Sequence, residues 1–126
     1  MKKIAVIEDN FDNRLLVRAI LMDNYEVMEY ESGAAALEGI NASPPDLVLL
    51  DISLPGMDGV EVLRRLRANP TLEGVPVVAL TAHAMLGDRE RYLAAGFDDY
   101  LAKPIVDEDL LLEMIDRLLA RKRTVS

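Results

Sequence analysis

The sequence contains no cysteine, one histidine and no long hydrophobic run, and these absences exclude several classes of protein. Without cysteine there is neither a disulfide framework nor a thiolate metal site. A single histidine, His83, argues against a zinc site or another nitrogen-rich metal centre. The apolar run at residues 4–7 stops at Glu8 and is too short for a signal peptide or a membrane span. We therefore expect a soluble, cytoplasmic protein without a membrane segment.

Positive charge is also scarce, with 14 Lys and Arg residues against 22 Asp and Glu residues and a net charge of -8. Binding to nucleic-acid phosphates needs clustered basic side chains, so we expect no nucleic-acid partner. The one basic cluster, at residues 121–123, lies where it would complement the dipole of a last helix. The 126 residues are 51% hydrophobic, which is enough for one domain with a real core spanning residues 1–126.

Short apolar runs alternate with longer stretches of helical period, the pattern of βα units around a parallel sheet. The predicted strands are residues 4–7, 25–30, 46–51, 75–80 and 98–102. Strict alternation with five helices predicts an α/β, flavodoxin-like, doubly wound sheet with helices on both faces and strand order 2-1-3-4-5. Glu26 and Glu29 make the second strand the least apolar, which suits an edge position.

Local sequence patterns predict one feature each for three of the five helices. The first helix is predicted to direct one face toward the core, made of Leu15, Leu16, Ala19, Ile20 and Met22. The third should begin at Asp58, with Glu61 three residues later as in a capping box. The fourth should end at Ala95, with Gly96 as the residue after its cap.

Polar side chains follow the predicted strands at the edge where such sheets bind ligands. They are Glu8 and Asp9 after strand one, Asp51 after strand three, Thr81 after strand four and Lys103 after strand five. Taken singly, each has an ordinary explanation as a solvated strand end, a helix cap, a strand residue or a surface charge. Together they place three acids, a hydroxyl and an ammonium at one edge.

Three clustered carboxylates repel one another, and a hard divalent cation relieves that repulsion. Few carboxylates, completed by waters and phosphoryl oxygens, suit Mg²⁺ better than Ca²⁺. With the metal bound, one carboxylate can attack a phosphoryl group and form an aspartyl phosphate. Such transfer needs mainly positioning and charge neutralisation, which Mg²⁺ and Lys103 would supply while Thr81 donates a hydrogen bond.

The motifs in this order resemble a response-regulator receiver domain over nearly the whole chain. They are Glu8-Asp9-Asn10, Asp51, Leu54-Pro55-Gly56-Met57-Asp58-Gly59, Thr81-Ala82, Ala94-Ala95-Gly96, Tyr100 and Lys103-Pro104. Together with Asn13 and residues 81–89, they look closest to DivK-like single-domain regulators and to receivers attached to hybrid histidine kinases.

This resemblance implies a role for each site residue. Asp51 would be the phosphoacceptor and a Mg²⁺ ligand, beside Asp9 and the backbone carbonyl of Ser53, while Glu8 would act on the metal through water. Thr81 and Lys103 would contact the phosphoryl group.

The resemblance also implies a switch and its tuning. Tyr100 would turn inward when Thr81 moves. The flanking residues Ser53 and His83 would tune dephosphorylation, and the Lys103–Pro104 peptide would be cis. His83 is more simply an exposed loop residue than a catalytic base.

The leading hypothesis is therefore a stand-alone response regulator of a two-component or phosphorelay system, not a metabolic enzyme. Its phosphoryl donor would be a phosphohistidine on a sensor histidine kinase or a histidine phosphotransfer protein. The phosphoform would alter a surface near helix four, strand five and helix five that a partner protein reads. Since no output domain follows in this sequence, the expected output is binding.

Two alternatives share the chemistry or the fold. A haloacid-dehalogenase-like hydrolase also forms an aspartyl phosphate, but it resembles Asp-x-Asp at the nucleophile, where this chain has Ser53, and no cap domain fits. A flavodoxin-type FMN carrier should have a hydroxyl-rich loop after strand one. Glu8-Asp9-Asn10 there would repel a phosphate without a metal.

Overall fold

The computed structural model describes residues 1–54, 56–82, 88–103, 105 and 107–121, with only the backbone of Arg89. Three expectations lie outside the described residues: the role of His83, the geometry of the peptide before Pro104, and the basic cluster beyond Arg121.

The described residues form one parallel sheet of five strands. They are β1 (Lys3–Ile7), β2 (Glu26–Tyr30), β3 (Leu47–Asp51), β4 (Val77–Thr81) and β5 (Asp99–Ala102). The order is β2-β1-β3-β4-β5, as predicted, with β2 at an edge. β4 begins later than predicted because Pro76 has no N–H for the ladder and contributes only its carbonyl, which accepts from the Val48 N–H.

Helices join the strands. They are α1 (Phe11–Leu21), α2 (Gly33–Ala42), α3 (Gly59–Arg67), α4 (Asp88–Ala95) and α5 (Glu108–Ala120), with a 3₁₀ turn at Pro70–Leu72 that the sequence did not predict. Asp58 caps α3 as expected by accepting from the Glu61 N–H at 2.9 Å. Gly96 follows α4 with φ of 114°. Among the described helices, none is long and apolar enough to cross a bilayer.

Alternate residues of each central strand enter two separate cores, one on each face of the sheet. In β1, Ile4 and Val6 pack with α1 and α5, whereas Ala5 and Ile7 pack with α2, α3 and α4. This two-sided burial explains the nearly continuous apolar strands, and it leaves their polar terminal residues at the sheet edge.

The predicted buried face of α1 is wrong except at Ile20. The helix buries Val17, Ile20 and Leu21, whereas Leu15, Leu16, Ala19 and Met22 are exposed. Apolar residues occur on almost every side of α1, so their spacing alone does not select the face that meets the sheet. The consequence is an exposed row, here called the α1 stripe, made of Phe11, Leu15, Ala19 and Met22.

Candidate functional site

The carboxyl edge of the sheet brings together the residues that the sequence singled out. Asp51 is the last residue of β3 and is 1% exposed, and Glu8, directly after β1, is fully buried. Thr81 ends β4, and the Lys103 N–H donates to its carbonyl at 2.8 Å. The Lys103 Nζ lies 2.9 Å from Glu8 Oε1 and 3.1 Å from Asp51 Oδ2. Neighbouring strand ends therefore converge as parallel topology requires.

Three carboxylates form a cluster that could hold a cation. One oxygen from each of Glu8, Asp9 and Asp51 lies within 4.8 Å of the others. Glu8 and Asp51 are buried, whereas Asp9 is exposed and faces the solvent from which an ion would enter. An all-oxygen donor set with few carboxylates and room for water fits Mg²⁺.

Hydrogen bonds fix the two buried carboxylates before any cation binds. Asp51 Oδ1 accepts from the Ser53 N–H at 3.0 Å, which leaves Oδ2 directed at Lys103. Glu8 Oε2 accepts from the Asn10 N–H at 3.2 Å, and the Arg14 guanidinium donates to the Glu8 carbonyl at 2.9 Å. The family resemblance implies that the Ser53 carbonyl binds the metal, and the structure adds a separate role for the Ser53 N–H, which holds Asp51.

The two buried acids have pKa values displaced in opposite directions. Burial raises the pKa of Glu8 from 4.5 to about 7, and its hydrogen bond with Asp51 adds to the increase. Burial alone would raise the pKa of Asp51 too, but Glu8, the Ser53 N–H and Lys103 more than offset it, so the pKa is lowered. For Lys103, burial opposes the charge, but the two acids raise its pKa. Near neutral pH the site thus holds an ionised Asp51 beside an ammonium.

An aromatic group lies behind Thr81. The Tyr92 hydroxyl of α4 donates to Thr81 Oγ1 at 3.3 Å, and both residues are buried. The Tyr92 ring lies 5.9 Å from that of Tyr100, which is half-buried, and 6.0 Å from that of Phe97. Sequence reasoning identified Thr81 and Tyr100 but missed Tyr92, since only the packing of α4 beside β5 brings its hydroxyl to β4.

Comparison with known proteins agrees with this geometry. The family model described as the response regulator receiver domain matches residues 4–116. The chain is 42% identical over 108 residues to the signal transduction histidine-protein kinase BarA of Escherichia coli K12; the match covers 85% of this chain but 12% of that kinase. It is 40% identical over 105 residues to the polar-differentiation response regulator DivK of Brucella ovis, covering 82% of this chain and 85% of DivK.

Solved structures give the same result. The receiver domain of the sensor histidine kinase PA1611 from Pseudomonas aeruginosa PAO1 superimposes with a TM-score of 0.86 at 36% identity, covering 95% of this chain and 98% of that one. That structure has a magnesium ion coordinated in its active-site cleft. By the family match, the fold and the buried acids at its carboxyl edge, the chain belongs to the response regulator receiver domain family of two-component signal transduction.

Proposed function

We propose that the chain, as a single domain over residues 1–126, is a stand-alone cytoplasmic response regulator in which Asp51 is the phosphoacceptor. The observation that carries this proposal is the state of Asp51. Its pKa is lowered, one carboxylate oxygen is held by the Ser53 N–H, and the other lies 3.1 Å from the Lys103 ammonium. A nucleophile fixed in this way meets the positional demand of phosphoryl transfer. The DivK match, which spans 85% of that regulator, supports the stand-alone form.

The residues that would hold Mg²⁺ are Asp9, Asp51 and the backbone carbonyl of Ser53, with Glu8 acting through water. The clustered carboxylate oxygens support this set, as does the magnesium ion in the PA1611 receiver. When bound, the cation supplies positive charge that offsets the phosphoryl oxygens.

The donor in this proposal is a phosphohistidine on a sensor histidine kinase or a histidine phosphotransfer protein. An Asp51 carboxylate oxygen attacks phosphorus, the P–N bond breaks, and its electron pair returns to the imidazole. Lys103 contributes charge to the transferred group, and the Thr81 hydroxyl donates a hydrogen bond to it. The chain is then a phosphoacceptor and not an enzyme with an external substrate, since the only turnover is its own phosphorylation and dephosphorylation.

A protein donor also fits the surface beside the site. The α1 stripe begins at Phe11, two residues after Asp9, and Arg14 of the same helix binds the Glu8 carbonyl. A protein that reaches Asp51 would cover this exposed apolar row. Phe11→Ala and Leu15→Ala should therefore slow transfer from a phosphohistidine protein and leave phosphorylation by acetyl phosphate unchanged.

The output in this proposal is a changed surface of α4, β5 and α5 that a partner protein binds. Thr81 and Tyr100 would form the switch, as the family resemblance implies. Exposed leucines on both helices, Leu93 of α4 and Leu110 of α5, support a protein partner at this face. Phosphorylation would shift the population between two arrangements of the face.

The decisive experiment follows phosphorylation on a Phos-tag gel with acetyl phosphate and Mg²⁺. We expect one phosphoryl group on the wild type, none on Asp51→Asn, and none on the wild type with EDTA. The matched control is Asp58→Asn, a neighbouring exposed aspartate whose cap an asparagine preserves. Unchanged phosphorylation of Asp51→Asn would remove Asp51 as the acceptor.

A further inference from the structure

A hydrogen bond joins the hydroxyls of Thr81 and Tyr92 inside the protein. The Tyr92 hydroxyl donates to Thr81 Oγ1 at 3.3 Å, with Thr81 1% and Tyr92 4% exposed. Both groups are thus cut off from bulk water, where a hydrogen bond contributes more than it does at the surface. The bond links the last residue of β4 directly to α4.

Neighbouring groups fix the direction of the Tyr92 hydroxyl. Arg91 donates to the Tyr92 oxygen at 3.3 Å, and its guanidinium lies 5.1 Å from the centre of the Tyr92 ring. Arg91 is itself held by Asp88, at 3.3 Å. Because the Tyr92 oxygen accepts from Arg91, its own proton is directed to Thr81. The ring packs against Phe97 and Tyr100, so the hydroxyl has little freedom to swing elsewhere.

Thr81 Oγ1 therefore serves as an acceptor on the α4 side of the site. Within the described residues, Thr81 Oγ1 makes no hydrogen bond to Asp51 or Lys103, although all three residues lie at the carboxyl edge. In the arrangement inferred below, Thr81 Oγ1 moves from Tyr92 toward Asp51 to donate to the phosphoryl group, and this movement breaks the bond that it accepts from Tyr92.

We propose that Tyr92 is a positioning residue that holds the Thr81 hydroxyl in the unphosphorylated arrangement. Loss of this hydrogen bond on phosphorylation would change the contact between β4 and α4. This inference rests on the proposed function, since it requires a phosphoryl group on Asp51 that competes for Thr81. The two contacts define two states of one side chain, and phosphorylation shifts their populations. When Thr81 leaves, the Tyr92 hydroxyl loses its acceptor at the point where α4 meets β4 and Tyr100.

Removing the Tyr92 hydroxyl should make the phosphorylated arrangement easier to reach. Tyr92→Phe keeps the ring and its packing but removes the competing bond. The affinity for beryllofluoride with Mg²⁺, a phosphoryl mimic, should therefore rise by roughly two- to tenfold, the range that one neutral hydrogen bond allows. A purely structural role predicts an unchanged or lowered affinity, since a less stable protein has no reason to bind the mimic more tightly.

The matched control is Tyr25→Phe. Tyr25 is also a buried residue, and its hydroxyl also makes a short hydrogen bond, to Asp116 at 2.7 Å. Tyr25 precedes the edge strand β2, three strands away from β4 and Thr81. This variant should leave the beryllofluoride affinity unchanged. Urea unfolding of each variant verifies the fold, and Tyr92→Leu, which also lacks the hydroxyl, should shift the affinity in the same direction.

Two Thr81 backgrounds separate the hydrogen bond from packing. In Thr81→Ser the hydroxyl remains, so Tyr92→Phe should still raise the affinity; in Thr81→Val it should have no further effect. An unchanged or lowered affinity for Tyr92→Phe, or an effect that persists with Thr81→Val, overturns the inference while wild-type binding leaves the proposed function intact. If the wild type neither binds the mimic nor is phosphorylated at Asp51, the proposed function fails and this inference fails with it.

Discussion

The two ends of the sheet treat buried acids differently. At the amino ends of the strands, here called the amino edge, Asp98 accepts from Arg67 at 2.9 Å and from Arg121 at 3.0 Å, and Asp99 is paired with Arg117. At the carboxyl edge, Glu8, Asp9 and Asp51 gather around Lys103. Among the residues that the structure describes in these two clusters, the amino edge has three arginines for two acids, whereas the carboxyl edge has three acids for one ammonium.

The balanced end is built to hold the fold together. Arg67, the last residue of α3, also donates to the Val75 carbonyl at 2.6 Å, and Asp98 also accepts from the Val77 N–H at 2.8 Å. These bonds tie α3 to the starts of β4 and β5. In the proposed function the unbalanced end gains a cation and a phosphoryl group, so the comparison suggests that unmatched charge marks the binding site and matched charge marks structure.

The largest expected effect is the loss of stability when an arginine of the amino edge is removed. Arg67→Ala should lower the free energy of unfolding by about 3–5 kcal/mol, because it leaves the buried Asp98 carboxylate with one cation fewer and orphans backbone carbonyls. Urea unfolding measures this loss. Arg65→Ala is the control: Arg65 lies on the same helix but pairs with Glu61 at the surface, so its loss should be below about 1 kcal/mol. Equal losses for the two variants would contradict a structural role for the amino edge.

The second prediction concerns pH at the unbalanced end. Without metal, the folded protein holds the Glu8 proton more tightly than the unfolded chain, since the pKa is raised from 4.5 to about 7. This contribution is complete below pH 4.5 and is lost as the pH rises through about 7. In EDTA, the free energy of unfolding should therefore fall between pH 5 and pH 8, by an amount on the order of 3 kcal/mol, relative to Glu8→Gln.

The opposite shift of Asp51 does not cancel this loss. Its pKa is lowered from 3.8, so its contribution changes only below that pH, outside the measured window. Glu8→Gln lacks the titrating group and serves as the internal reference in paired urea titrations. Parallel pH profiles for the wild type and Glu8→Gln would show that burial of Glu8 carries no such penalty.

The third prediction is that Mg²⁺ stabilises the folded protein by offsetting the excess negative charge at the carboxyl edge. At pH 8, Mg²⁺ at ten times its dissociation constant should stabilise the wild type by about 1.4 kcal/mol. Asp9→Asn should lose most of this gain, yet cost little in EDTA because Asp9 is exposed. Asp12→Asn, an exposed acid of α1, should keep the full gain. Thermal unfolding with MgCl₂ against matched NaCl distinguishes binding from screening, and equal Mg²⁺ gains for both variants would contradict the metal role of Asp9.

The fold and the carboxyl edge could be predicted because parallel topology converts sequence order into position. Once the apolar runs before Glu8, Asp51, Thr81 and Lys103 are assigned to adjacent strands, their ends must meet. The haloacid-dehalogenase-like hydrolase is disfavoured by a local feature, since Ser53 and not an aspartate stands two residues after Asp51. The Ser53 N–H donates to the Asp51 carboxylate.

The missed features depend on packing that no local pattern encodes. Arg67 and Asp98 are 31 residues apart, and an Asp-Asp pair at the start of a strand resembles any polar turn. The spacing of Leu15, Ala19 and Met22 predicts a core face for these stripe residues because α1 is apolar on almost every side. Its orientation follows from how Val17 and Leu21 fit the sheet, which periodicity does not contain.

The smallest expected effect tests whether the stabilisation at the amino edge depends on the burial of an arginine and not only on its charge. Arg121 pairs with the same Asp98 carboxylate as Arg67, through the other oxygen, but its side chain is 52% exposed against 23% for Arg67. Solvent screening should therefore limit the cost of Arg121→Ala to about 0.2–1 kcal/mol. In the Arg67→Ala background that cost should increase, because Asp98 then has one cation fewer and the two arginines act on one charge. A double-mutant cycle by urea unfolding measures the coupling. Strictly additive losses would show that Arg121 is an ordinary surface charge and does not share the neutralisation of Asp98 with Arg67.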